Sequence, residues 1–257
     1  MLKVIKIGGN IVDNPTKLEK FLSDFAALEG QKILIHGGGK VATSISTALG
    51  IETQMISGRR VTDKQTLGVV TMVYAGGINK SIVGALRSLG CDAFGMCGVD
   101  GGVILSNKRS PEPIDYGFVG DPIAVNDKLL NTLINSGLQL VIAPITANEK
   151  GELLNTNADT VAQSIATGMA LSGAEVELIY CFEKKGVLSD VNDDNSVIET
   201  ITPTNFESLK ADGIVADGML PKLENAFKAL EKGVKKVVIC SAESISEQGY
   251  AGTSITK

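Results

Sequence analysis

Short runs rich in valine and isoleucine alternate along this chain with stretches whose apolar residues recur every three or four positions. The runs are KVIKI from Lys3, KILIH from Lys32, CDAFGM from Cys91, GLQLVIAPI from Gly137, EVELIY from Glu175 and KKVVIC from Lys235. Between them the three-four spacing predicts helices over Thr16–Leu28, Lys40–Leu49, Asp63–Tyr74, Asn79–Leu89, Asn126–Asn135, Ala158–Leu171 and Gly218–Lys232. Strands apolar on both faces belong in a parallel sheet covered by helices on each side, so the expected class is α/β. Gly101–Val125, with two nearby prolines and several charges, breaks the alternation and reads as a hairpin-like excursion. The clearest lobe boundary falls at Gly168–Gly173.

Composition excludes several functions. With 44% hydrophobic residues, the 257-residue chain buries a large core. A net charge of −5, 4% aromatics and no tryptophan argue against a nucleic-acid binder. No apolar run approaches the roughly 18 residues of a spanning helix, and Lys3 and Lys6 interrupt any leader-like core, so no membrane association is expected. Cys91, Cys97, Cys181 and Cys240 form no CxxC pair and read as reduced, buried thiols of a cytoplasmic protein.

Lys6 sits inside a strand-like run that ends in Gly8 and Gly9. A buried ammonium must be paired, and glycines let a ligand approach the backbone, so a positive charge beside a close-fitting turn points to an anion. ILIHGGGKVA repeats the strand–glycine–helix plan, with backbone amides at a helix start. The nucleotide-hydrolase loop GxxxxGK[ST] fails, because Val41 follows Lys40. Gly37, Gly39 and Ala42 fit GxGxxA, which keeps a dinucleotide site open, although the acidic partner some twenty residues on has no clean candidate. A lipase-like HGGG loop would need a GxSxG nucleophile and a second histidine; His36, the sole histidine, reads as a structural hydrogen-bonding residue.

Three further polar segments interrupt ordinary patterns: SGRRVTD with Arg59 and Arg60, LLNTNADTVAQ with Asn155, Asn157 and Asp159, and VADGMLPKLENAF with Asp217 and Lys222. Helix capping explains one or two of these residues but hardly all of them.

Taken in order, KIGGN, HGGGK, SGRRVTD, NTNAD and DGMLPK resemble the amino acid kinase family over almost the whole chain, nearest to its members that phosphorylate N-acetylglutamate. The resemblance implies a three-layer αβα sandwich with a mainly parallel central sheet. An N-terminal lobe (1–170) would bind the acyl amino acid and form the dimer, and a C-terminal lobe (171–257) would bind ATP. It implies that Lys6 and Lys222 contact the transferring phosphoryl group and that Asp159 holds both lysines. Gly8, Gly9, Gly38 and Gly39 would border the phosphates and the substrate's side-chain carboxylate, and Arg60 and Asn155 its other polar groups. Glu183, Lys184, Lys185, Gly186, Val187 and Leu188, with Ile214, Val215 and Ala216, match nucleotide-contacting segments. Where relatives often carry Ser-Asp, this chain has Phe182 and Glu183. The chain begins almost at its first strand, whereas arginine-inhibited relatives carry an additional N-terminal helix, which implies a homodimer without arginine feedback.

The expected activity is ATP-dependent phosphorylation of an N-acyl-L-glutamate, acetyl by default, with magnesium arriving on ATP. A carboxylate nucleophile is already ionised at neutral pH and needs no general base, consistent with a single histidine. A succinyl group is the alternative; the candidate selector of the acyl group is the Asn107–Val125 excursion together with Arg59, and a succinyl group would want a further cation, which Lys108 or Arg109 could supply. A non-catalytic sensor of the same fold and an NAD-linked oxidoreductase are the rivals from other classes.

Overall fold

The computed structural model describes every residue except 57, 216–218 and 247–249, and not the side chain of 221. In chain order it runs β1 (Leu2–Ile7), α1 (Gly9–Val12), α2 (Pro15–Ala27), β2 (Lys32–His36), α3 (Gly39–Ala48), β3 (Met55–Ile56), β4 (Arg59–Arg60), α4 (Lys64–Thr71) and α5 (Asn79–Ser88). There follow β5 (Ala93–Cys97), β6 (Ile104–Lys108), β7 (Gly120–Val125), α6 (Asp127–Asn135), β8 (Gln139–Ala143), β9 (Ile145–Ala147), β10 (Leu153–Asn155) and α7 (Ala158–Leu171). The chain closes with β11 (Val176–Phe182), β12 (Thr200–Ile201), α8 (Pro203–Ala211), α9 (Leu220–Glu231), β13 (Lys236–Ser241) and β14 (Gly252–Ile255).

An eight-stranded sheet in the order β12-β14-β13-β11-β1-β2-β8-β5 forms the middle layer, parallel except for β14 against β13. Strand alternation divides its side chains. Leu2 and Val4 of β1 point into a core shared with Val161 and Ile165 of α7 and Leu223 and Ala226 of α9. Ile5 and Ile7 point the other way, towards Phe21 and Phe25 of α2 and Ile82 and Leu86 of α5. Lys6 therefore shares its face with Leu2 and Val4, at the end of the strand where α7 begins. A smaller sheet, β10-β9-β6-β7, holds the excursion as an antiparallel hairpin, as its composition suggests.

Two sequence-predicted helices prove to be one. Lys64–Ser88 is continuous, with a wider π-helical segment at Met72–Ile78 carrying Gly76 and Gly77 through without a break. This helix is long and apolar enough to cross a membrane, as the core helix of a soluble protein can also be; its mean hydropathy is 1.3 over the apolar window, 44% of which is buried inside the protein.

The strand order places β1 between β2, reached first in the chain, and β11, reached after the excursion. Loops leaving neighbouring parallel strands in opposite directions open a crevice at their carboxyl ends, where α/β proteins bind ligands. Here the crevice is bordered by Gly8 and Gly9 after β1, Gly37–Gly39 after β2 and Phe182, Glu183, Lys184 and Gly186 at the end of β11.

Candidate active site

In-register pairing sets Lys6 beside Tyr180, so Lys6, Tyr180 and Phe182 share one face. The Lys6 ammonium, on a residue only 7% exposed, lies 2.7 Å from Asp159 Oδ1. This contact is an ion pair that is not aligned as a hydrogen bond, and Oδ1 has no other partner. Asp159 is delivered by the first turn of α7, where Asn157 caps the helix by accepting from Thr160 N–H at 3.0 Å. Capping thus occupies Asn157 and leaves Asp159 for the lysine. Tyr180, wholly buried, donates to the Asp159 carbonyl at 3.3 Å and fixes that turn against β11.

Lys222, in the first turn of α9, arrives from a distant part of the chain. Its ammonium is 3.9 Å from the centre of the Phe182 ring, and that of Lys6 is 5.2 Å from the same ring. Two cations share one aromatic platform, an attraction that holds them without neutralising either. Burial lowers the Lys222 pKa, Asp159 pulls it back up, and the like charge of Lys6 lowers it again. The three charges anticipated from separate segments therefore sense one another. Phe182, which the sequence marked only as a departure, lies beneath both lysines; no spacing in the chain signals that role.

A cavity of about 920 Å³ opens in front of this cluster, lined among others by Gly8, Gly9, Gly39, Lys40, Glu183, Lys184 and Gly186. Asp13 lines it too; burial raises its carboxyl pKa, opposed by the Lys40 charge and by the Val41 backbone amide. Beside it a smaller space of about 310 Å³ is bordered by Gly38, Gly39, Arg59, Arg60, Tyr74 and Asn155. Gly38 takes φ +151, and a Cβ there would stand 2.2 Å from Ile78 Cδ1, so only glycine lets this turn pass the π-helical segment. Helix α3 starts at Gly39 with no side-chain cap, and Gly39 borders both cavities, the end of a helix that suits an anion.

Arg60 is 7% exposed and donates to Gly39 O and Thr43 Oγ1, both at 2.8 Å, and to Thr53 Oγ1 at 3.1 Å. Asn155 donates to Thr62 Oγ1 at 3.0 Å. Thr43, Thr53 and Thr62 were invisible to sequence reasoning, since they lie 17, 7 and 93 residues from the side chains they hold.

The proposed nucleotide segment divides. Glu183, Lys184 and Gly186 line the larger cavity, with Glu183 accepting from Asn10 at 2.7 Å and Lys184 paired to Asp194 at 2.6 Å. Lys185 is exposed and faces Asn195. Val187 and Val215 are core residues, each 2% exposed; Leu188 pairs with Val197, and Ile214 is 37% exposed. Ala216, together with Asp217 and Gly218 at the expected helix start, lies outside the described residues.

His36 is wholly buried below Gly37. Its Nδ1 donates to Gly37 O at 2.9 Å and its Nε2 accepts from Asn79 at 3.2 Å, so the ring is a neutral structural link, its pKa lowered by burial to about 4. All four cysteines are free and buried. Among the described residues no three His, Cys, Asp or Glu side chains come together to hold a metal.

The model of the amino acid kinase family matches residues 1–241. The chain belongs to the amino acid kinase family. Among its relatives in that family, the acetylglutamate kinase of Cytophaga hutchinsonii is 54% identical over 248 residues, 96% of this chain and 93% of the relative. The acetylglutamate kinase of Phocaeicola vulgatus is 52% identical over 256 residues, 100% and 98% of the two chains. A solved N-acetylglutamate synthase from Neisseria gonorrhoeae superposes with a TM-score of 0.83 at 22% identity, covering 100% of this chain and 59% of that one, a likeness of fold. The three-layer arrangement with a mainly parallel sheet is thus that of the amino acid kinase family.

Proposed function

We propose that this chain transfers the γ-phosphoryl group of ATP to the side-chain carboxylate of N-acetyl-L-glutamate, forming an acyl phosphate and ADP, a step of arginine biosynthesis. The observation that carries the reading is the meeting of Lys6 and Lys222 over Phe182, with Asp159 paired to Lys6, at the head of a glycine-lined cavity. Residues 1–170 bind the acyl amino acid and 171–257 the nucleotide, with Glu183, Lys184 and Gly186 beside it. The enzyme works in the cytoplasm as a homodimer.

The reaction joins two anions, so repulsion is the first barrier. A carboxylate oxygen forms a bond to the γ-phosphorus while the bond to the bridging oxygen breaks, its electron pair leaving with ADP. Charge spreads over the equatorial phosphoryl oxygens, and positioned cations lower that barrier most. Lys6 faces them from β1 and Lys222 from α9. Asp159 holds Lys6 by an ion pair and reaches Lys222 only through its charge, not by the direct hold on both lysines that the resemblance implied. The Gly8 amide is spent on the Cys181 carbonyl, so the amide of Gly9 and those of the α3 start receive oxygens too close for a side chain. The acceptor carboxylate, with an ordinary pKa of about 4.3, is ionised without a base. Among the described residues no three acids come together to hold magnesium, so the ion would be carried by the nucleotide's own phosphates.

ADP release should require both ATP and N-acetyl-L-glutamate. ATP binding with no ADP release in the presence of the acyl-glutamate would favour a sensor, and nicotinamide binding would favour an oxidoreductase. Because Lys222 acts as an ammonium with a lowered pKa, turnover should fall with rising pH before an ordinary lysine, at about 10.4, would titrate. Asp159→Asn removes the neighbour that raises that pKa, so the alkaline limb of kcat should move to lower pH. An unmoved limb would detach Asp159 from Lys222.

A further inference from the structure

The charge of the smaller cavity does not balance against N-acetylglutamate. Among the described residues two cations and no acid line it: Arg59 and Arg60. Arg60 spends its hydrogen bonds on a carbonyl and two hydroxyls, all neutral, and no acid among the described residues pairs with it. Arg59 is half-buried, and its side chain makes no hydrogen bond or ion pair among the described residues; its strand β4 is held by backbone pairing with Ile56. The charged and titratable groups around it are Arg109, Asp121, Tyr116 and Asp159. Both of those carboxylates are committed: Asp121 accepts twice from Arg109, and Asp159 faces Lys6. Burial, and then the like charge of Arg109, lower the Arg59 pKa. A half-buried guanidinium without an acceptor is costly, and a bound anion removes the cost.

N-acetylglutamate sends one carboxylate to the lysines and only one to these arginines. We propose that the pocket is built for an N-acyl-L-glutamate whose acyl chain ends in a carboxylate of its own, and that Arg59 pairs with that third carboxylate. The inference rests on the kinase reading and refines its substrate. The sequence suggested Lys108 or Arg109 for this task, but the structure commits both. The Lys108 ammonium lies 4.1 Å from the centre of the Phe118 ring, and Arg109 is forked onto Asp121. Among the described residues Arg59 is the cation left uncommitted, and a guanidinium suits the bidentate geometry of a carboxylate.

The test is kcat/KM for N-acetyl-, N-succinyl- and N-succinamoyl-L-glutamate in the wild type and in Arg59→Gln, the neutral succinamoyl compound separating length from charge. The wild type should favour the succinyl compound over both others by at least about tenfold, as expected when a site pairs a specific polar group. Arg59→Gln should lower the succinyl value at least about tenfold more than the acetyl value. A wild type that prefers acetyl, or a variant in which all three values fall together, would overturn the proposal while leaving the kinase reading intact. No ADP release with any of the three would overturn the kinase reading, and this inference with it.

Discussion

Lys6→Ala should lower turnover by roughly a hundred- to a thousandfold, the loss expected when one well-placed electrostatic donor is removed from a phosphoryl-transfer site. Lys222→Ala should do the same. The two lysines are held differently, which makes the pair informative. Lys6 is buried at the end of a strand and stands 2.7 Å from Asp159. Lys222 rests on an aromatic face, in surroundings that lower its pKa. A lysine whose folded pKa is depressed opposes folding while protonated, an opposition that fades as pH rises through the folded value. Lys222→Met should therefore keep or raise Tm at neutral pH while removing activity. Circular dichroism melts beside ADP-release rates check both. A variant that loses activity and Tm together would make Lys222 a structural residue.

The second large effect concerns His36, which the chemistry does not use. Its ordinary pKa of 6.5 is lowered to about 4 in the folded chain. In that interval the unfolded chain binds a proton that the folded chain refuses, so stability falls as pH drops from about 6.5 towards 4 and the loss is complete below the folded value. A shift of this size corresponds to about 3 kcal/mol. Urea unfolding between these limits should show that decline. His36→Gln, whose amide oxygen still accepts from Asn79, should flatten it, the carboxylate contribution being common to both proteins. Parallel pH profiles for wild type and variant would contradict the neutral, buried ring.

Much of the fold is legible in the sequence because strand and helix periods differ. Ala158–Leu171 falls where its apolar spacing predicts, and KVIKI, KILIH, EVELIY and KKVVIC all become central strands. The break expected at Ala75-Gly76-Gly77 does not occur, because π-helical turns carry the glycines and seat Ile78 and Tyr74 against Gly38. Helix α8 was missed, since Phe206 is its single buried residue; its start is nevertheless written in Thr202, Pro203 and Asn205, a reciprocal capping box with proline in the first turn. Strands β12 and β14, of two and four residues, are too short for a period to show.

The site was less legible, for reasons Lys32 illustrates. Like Lys6 it lies within an apolar strand, and it is more deeply buried, at 3% exposed. Yet it serves structure: its ammonium donates to the Ala26 and Leu28 carbonyls at the end of α2, at 3.0 and 2.5 Å, where cations suit the helix dipole. A strand lysine therefore signals a charge requirement without saying whose. What separates the two is long-range: Asp159 and Phe182 beside Lys6, a helix end beside Lys32. The same holds for the arginines. Sequence alone made Arg60 a ligand and set Arg59 with the excursion as the selector of the acyl group, while the folded chain fills Arg60 with framework bonds and, among the described residues, gives the Arg59 side chain none.

The most direct measurement is the double-substitution cycle on the two lysines, with turnover determined for Lys6→Ala, Lys222→Ala and the pair. If both ammonium groups act on one phosphoryl group as a unit, the double variant should be little worse than either single one. Losses that multiply, or near-normal turnover in either single variant, would contradict it.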